Sequence, residues 1–228
     1  MTATGLCMAL MQTCYGNDGP VWKDQIISKA LVDYKPFITK ILHIGGDMGI
    51  TDMSDAFAYQ TKLTEIPQGV FNGLTEVTGF VSTFVGCTGL TSIPEGLFDN
   101  CTKATEFGSC FSYCTALTEI PEGLFDNCTD ASSFTNTFYN CTSLTSIPAG
   151  LFDNNRKIEY VYCTFQNCTA LTGESPYTII NVDGNDVKVH LYERKNYPDV
   201  FAALVQYGNC FENCTGLTDY ATMTSVWK

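Results

Sequence analysis

The stretch Phe111-Ser112-Tyr113-Cys114-Thr115-Ala116-Leu117-Thr118-Glu119-Ile120-Pro121 returns 27 residues later as Phe138-Tyr139-Asn140-Cys141-Thr142-Ser143-Leu144-Thr145-Ser146-Ile147-Pro148. Phe57, Phe84, Phe111, Phe138 and Phe165 keep that spacing without a slip. A second series, Phe71, Phe98, Phe125 and Phe152, falls between them at alternating steps of 14 and 13. One 27-residue unit is therefore two related half-turns, and self-similarity at a fixed period of this length is the mark of a solenoid.

Working outward from the repeat, the L-T-x-I segment and its partner A/V-T-x-F read as brief parallel strands that stack into a ladder, at about 4.8 Å per layer. Pro67, Pro94, Pro121 and Pro148 end the first strand of each unit, because proline has no N–H to give a ladder. Gly69, Gly96, Gly123 and Gly150 turn the corner two residues later. Phe-Asp-Asn at 98–100, 125–127 and 152–154 suits a short helical or 3₁₀ turn. Leu, Ile and Phe form the inward set; Thr, Ser and Glu form the outward one.

Cysteine follows the same phase. Cys87, Cys114, Cys141 and Cys168 make one column, which Cys214 rejoins after an insertion, and Cys101 and Cys128 hold the equivalent place in the other half-turn. A repeated position meets the same surroundings in every layer, so these are expected to be buried structural thiols facing backbone carbonyls. Cys110/Cys114 and Cys210/Cys214 lie four apart with no His beside them, so no zinc site is expected. The Asn-Cys-Thr sequences that begin at Asn100, Asn127, Asn140, Asn167 and Asn213 are pieces of the repeat rather than glycosylation acceptors.

Three regions are expected in one continuous domain: 1–49 an N-terminal segment and helical cap, 50–172 the repeats, and 173–228 an insertion hairpin, a last repeat and a C-terminal cap. Residues 21–33 place Trp22, Ile26, Ile27, Ala30 and Leu31 on one helical face, and Pro36 stops the helix. His43 and the Gly45-Gly46-Asp47-Met48-Gly49 turn have no phosphate-binding pattern and are read as structural. After Leu171 the expected Ile-Pro is replaced by Gly173-Glu174-Ser175-Pro176, and Phe211 follows Phe165 by 46 residues instead of 27. Alternating apolar residues over 178–182 and 187–192, around Asp183-Gly184-Asn185-Asp186, read as a β-hairpin whose tip is a turn rather than a calcium loop. Leu217-Thr218 and Trp227 are expected to close the C-terminal end.

The 228 residues carry 24 acidic and 12 basic side chains, a formal net charge of −12. Such a chain repels phosphate backbones, which excludes nucleic acid as a partner. No run approaches the ~20 apolar residues of a membrane span, so no membrane insertion is expected. Residues 1–14 lack a basic segment before their apolar stretch and are not read as a signal peptide. Two His far apart, and no nucleophile elbow, H-E-x-x-H or paired-carboxylate motif, argue against an enzyme, and no cofactor is implied. The Thr columns lack the period-two alternation of a flat ice-binding array.

Units such as Phe111-Ser-Tyr-Cys114-Thr-Ala-Leu117-Thr-Glu-Ile120-Pro121 resemble the BspA-like leucine-rich repeats of microbial surface proteins over residues 38–220, though 27 residues is longer than the unit usual in that family. Period, residues and resemblance together give the expected fold: an α/β solenoid, a leucine-rich-repeat-like right-handed coil of 27-residue units, with short parallel strands, an N-terminal helical cap and a C-terminal hairpin insertion. The resemblance also implies adhesion at a bacterial cell surface or outside the cell. The residues themselves offer a candidate binding face of Thr64, Glu65, Thr91, Ser92, Thr118, Glu119, Thr145 and Ser146, for a protein or glycan partner not identified by the sequence. A bacteriophage virion attachment or decoration protein is the alternative, motivated by the missing signal peptide. The oligomeric state is left open.

Overall fold

The computed structural model describes Ile38, Lys40, Ile41, Ile44 and residues 49–228. The helix expected over 21–33, His43, and the glycine turn up to Met48 lie outside the described residues. From residue 50 the chain winds in layers whose equivalent positions sit one above another. Phe57, Phe84, Phe111, Phe138, Phe165 and Phe211 form one continuous stack, with ring centroids 5.2 to 5.6 Å apart and planes within 9°. Phe71, Phe98, Phe125 and Phe152 form a second stack, and Phe80, Phe107 and Phe134 a third. Edge-on contacts tie the second stack to the third, as at Phe98–Phe107, 5.0 Å. Each such pair adds about 0.5–1.5 kcal/mol to the area it buries. The inward Leu and Ile fill the rest of one core running from Ile41 to Trp227.

The layers are not joined by the strands the sequence suggests. Among the described residues the A/V-T-x-F segments meet only as single parallel bridges, Asp52–Gly79, Gly79–Glu106, Glu106–Ser133, Ser133–Tyr160 and Tyr160–Gln206. The L-T-x-I segments share one backbone bond per layer, from Thr91 N–H to the Thr64 carbonyl and likewise from Thr118 to Thr91 and Thr145 to Thr118. The next two N–H groups, as at Ser92 and Ile93, make no interlayer bond, and the proline directly after the Ile has none to give, so the ladder stays a single point.

Most interlayer bonding lies elsewhere, in the F-x-x-C segment. There Phe80, Ser82, Phe84 and Gly86 donate their N–H groups to the carbonyls of Glu106, Gly108, Cys110 and Ser112, and the next layers repeat this. The chain can do so while turning because two residues per layer take positive φ. These are Ser82 and Gly86, Ser109 and Tyr113, Asn136 and Asn140, Cys163 and Asn167, and Asn209 and Asn213, at 54° to 69°. Asn tolerates this conformation best among residues with a Cβ, which accounts for Asn140, Asn167 and Asn213 ahead of their cysteines. The Phe-Asp-Asn segments are plain turns rather than helical or 3₁₀ ones.

Each cysteine of the first column answers a specific acceptor. The thiols of Cys87, Cys114, Cys141, Cys168 and Cys214 donate to the carbonyls of Phe57, Phe84, Phe111, Phe138 and Phe165, at 3.0 to 3.3 Å. A third inward column, Thr83, Cys110, Thr137, Thr164 and Cys210, mixes hydroxyls and thiols. Its threonines donate to Met53, Phe107 and Phe134 carbonyls at 2.9 to 3.0 Å. Cys110 and Cys210 are thus column members, not halves of a pair. All ten described cysteines are free and buried.

The insertion forms strand β1, Tyr177–Val182, paired antiparallel with β2, Asn185–His190. Asp183 and Gly184, at φ 50° and 84°, make a two-residue turn of the mirror-image type that hairpins favour. The tip is therefore shorter than the four residues expected, and Asn185 and Asp186 belong to β2. Leu191 and Tyr192, expected in the second strand, open a 3₁₀ helix over Leu191–Asn196 instead. That helix brings Arg194 into the core. In the second half-turn column, Cys128 Sγ reaches the carbonyls of Phe98 and Cys101, at 3.8 and 3.5 Å. One layer on, Asn155 Nδ2 donates to those of Phe125 and Cys128, at 3.1 and 2.8 Å. Where the next layer would supply another donor, Arg194 gives Nη1 to the Asn155 carbonyl at 3.0 Å and Nη2 to that of Phe152 at 2.7 Å. At the far end Trp227 stacks on Tyr207 and Phe211, and its carbonyl accepts the Phe211 N–H.

Candidate binding surfaces

The Thr/Ser/Glu columns stand on the outside of the L-T-x-I segment. Thr64, Glu65, Thr91, Thr118, Glu119, Thr145 and Ser146 are exposed, and Ser92 is half-buried. The hydroxyl protons of the upper three threonines are not free. Thr91, Thr118 and Thr145 donate Oγ1–H to the carbonyls of Thr64, Thr91 and Thr118, at 3.0 to 3.3 Å, and Thr172 does the same to Thr145. What the bonded threonines leave outward is lone pairs, beside the carboxylates of Glu119 and of Glu65, 3.6 Å from Lys40. Chemically this is an acceptor face, suited to donors or cations. On another face the column Glu76, Lys103, Asp130, Lys157 alternates in sign, and Lys103–Glu76 and Lys157–Asp130 pair across layers.

The cysteine columns offer no reactive site. Burial pushes Cys87 and Cys128 up to about 12, and Cys110, Cys114 and Cys168 well above the ordinary 9.0. A thiol that keeps its proton is neither nucleophile nor ready metal ligand.

Two arrangements were not visible from the motifs. The outer side of the F-x-x-C segments exposes Tyr59, Tyr113 and Tyr162. Tyr113 meets the half-buried Tyr139 edge-on at 5.2 Å, and the Tyr113 hydroxyl bonded to it pushes the Tyr139 phenol up, burial adding to the rise. The Tyr59 ring lies over Gly86, where a Cβ would come within 2.6 Å of it. The uncharged composition of this segment was readable; its outward aim was not, because the alternation depends on left-handed turns.

The second arrangement surrounds His190. Its Nε2 is 2.9 Å from Glu174 and 3.7 Å from Asp219, and its Nδ1 is 3.0 Å from Glu193. Glu174 also takes Lys188 at 2.9 Å, whose hydrogen bond, with that of His190, holds the Glu174 carboxyl below its usual range. Asp219 accepts the Ser175 N–H and hydroxyl. These residues, from Glu174 to Asp219, are spread over separate stretches of sequence without a motif, and could not be associated from it. Every carboxylate here is answered by a donor of the protein, so the cluster latches the hairpin to the last repeat. Among the described residues no group of His, Cys, Asp and Glu is arranged to hold a metal ion. A hollow lined by Phe152, Pro176, Leu191 and Arg194 is too small to admit water, and no helix among the described residues is long and apolar enough to cross a membrane.

No family model matches the chain, and no curated protein matches it in sequence. Among solved structures it is similar to the leucine-rich repeat domain of APL1B, at 13% identity and a TM-score of 0.31, over 72% of this chain and 43% of that one. The APL1 leucine-rich repeat domain follows at 18% identity and 0.27, over 60% and 33%. The LRIM1/APL1C complex gives 13% and 0.20, over 62% and 24%. The chain spans less than half the length of each, and likeness at these scores carries no assignment of function.

Proposed function

We propose that this chain is a non-enzymatic binding module of the BspA-like leucine-rich-repeat kind, which holds a protein or glycan partner against its side at a bacterial cell surface. The observation that supports this is the repetition of exposed side-chain types, layer upon layer, on a coil whose interior donors and acceptors are largely matched. Repetition of this kind builds an extended contact surface rather than a pocket. Among the described residues, the buried, protonated thiols and the internally matched His190 cluster are not poised for acid–base or nucleophilic work.

Quantitative proteomics of envelope, cytosolic and sedimented-particle fractions of the native cell tests the location. Enrichment in the envelope is the expected result. Enrichment in the cytosol would overturn it, and enrichment in particles would replace it with a virion role.

A further inference from the structure

Between residues 50 and 172 the chain carries 17 charged side chains, and none of them falls in 81–88, 108–115, 135–142 or 162–169. Those four segments are successive layers of the F-x-x-C side, so in a molecule of net charge −12 one face is free of charge over four layers. Asp55 below and Glu212 above bound it. Out of this neutral surface stand Tyr113, 46% exposed, and Tyr162, 42%, with Tyr139 set against Tyr113, and Tyr59, 59% exposed, stands at its lower edge in the layer of Asp55. The amides of Asn140 and Asn167 follow Tyr113 in its column, and Asn167 Oδ1 accepts a hydrogen bond from Asn213 Nδ2 at 2.7 Å.

Resting on the reading of the chain as a binding module, we propose that this face, and not the Thr/Ser/Glu face, is its recognition surface, and that the ligand is an uncharged polysaccharide laid along the coil axis. Tyrosine supplies a rigid, amphipathic surface with little entropy to lose, and Asn, Ser and Thr supply adaptable hydrogen bonds. A sugar ring matches that mixture with an apolar C–H face and a rim of hydroxyls. The layers repeat at about 4.8 Å, so rings and amides recur along the axis as the units of a polymer do. A protein partner would be expected to seat large apolar anchors in pockets, and the one aliphatic side chain prominent here, Val81, is exposed. Anionic polymers are repelled by the surrounding carboxylates.

The test is affinity electrophoresis of the full chain in native gels cast with dextran, mannan, mixed-linkage β-glucan or hyaluronan. Variants are taken from the neighbouring layers, so that the fold already accommodates them. Tyr113→Asn installs the residue found at Asn140 and Asn167, and Tyr162→Thr the one at Thr135. At least one neutral polysaccharide should retard the protein, hyaluronan should not, and about 0.5 M salt should leave the retardation intact because no charge is screened. The double tyrosine variant should weaken binding by about tenfold or more, whereas joint replacement of Thr91, Thr118 and Thr145 by Lys should not. Retardation by none of the neutral polymers, or retardation untouched by the tyrosine changes, would overturn the proposal. A photo-crosslinking aromatic at position 113 that captures protein instead of polysaccharide in native lysate would also overturn it, while leaving the binding-module reading in place.

Discussion

In the regular layers, residues 50–172, the carbonyl of a stacked Phe is met by a side chain 30 residues further on: Cys141 on Phe111, Cys168 on Phe138, Asn155 on Phe125. In the insertion, residues 173–209, the chain leaves that rhythm, yet the Phe152 carbonyl is met all the same, by Arg194 from 42 residues away. The first region solves the problem by repetition, with small neutral donors. The second solves it once, with a long cation that also packs 4.4 Å over the Phe201 ring and bonds Thr178. The acceptor positions are thus the fixed element of this coil, and the donor is free to vary. Each of these carbonyls also accepts the backbone N–H three residues on, as Phe111 does from Cys114 and Phe152 from Asn155, so the side chain fills a second lone pair, a bond worth about 0.5–1.5 kcal/mol.

The largest effect expected from this comparison comes with alkali. The buried thiols have pKa values raised above the ordinary 9.0, to about 12 at Cys87 and Cys128. The unfolded chain therefore gives up these protons first. Stability should be flat with respect to thiols below about pH 9 and should fall above it, by about 1.4 kcal/mol per pH unit for each protected thiol. Urea titrations at pH 7, 9 and 10 should show a steep, cooperative loss; equal midpoints at pH 7 and 10 would break the account of the columns.

Next comes Arg194→Ala, which strips donors from the Asn155 and Phe152 carbonyls together and should cost about 3 kcal/mol in urea unfolding. Burial lowers the guanidinium to about 10, so it is charged at neutral pH and Arg194→Met separates charge from shape. If the Met variant is as stable as the parent, the hydrogen bonds at the top of this column are dispensable and the comparison fails.

Cys141→Ala should cost about 1–2 kcal/mol, through the lost bond to Phe111 and a small void. Cys110→Thr should cost less than about 1 kcal/mol, because Thr83 and Thr137 occupy that same column in the adjoining layers with bonded hydroxyls. Thermal unfolding of the two variants side by side sharpens which columns accept either donor. The smallest effect belongs to the surface: Lys103→Ala breaks a 2.7 Å pair with Glu76 that water screens, and should change stability by no more than about 0.5 kcal/mol.

The coil itself was legible because the Phe and Cys positions recur at one period, and a period survives whatever the local backbone does. The strands were not. L-T-x-I has the composition of a strand, but only its Thr N–H bonds to the layer below, the Pro after Ile120 or Ile147 stops the segment there, and the ladder passes to F-x-x-C, whose turns carry no strand signature. Asn140 and Asn167 hinted at left-handed backbone there, a hint that the Asn-Cys-Thr pattern disguised as a sequon. Arg194 was invisible as a column member, since nothing in Leu191–Asn196 repeats, and the partners of His190 are assembled from three separate stretches of chain.

The most direct test of the column account is alkylation of the native protein with iodoacetamide at neutral pH, mapped by mass spectrometry and repeated in denaturant. The account predicts that Cys87, Cys114, Cys141, Cys168 and Cys214 stay unmodified while the protein is folded and are all alkylated once it is unfolded. Rapid native labelling at Cys114 or Cys141, or disulfides among the five, would contradict it.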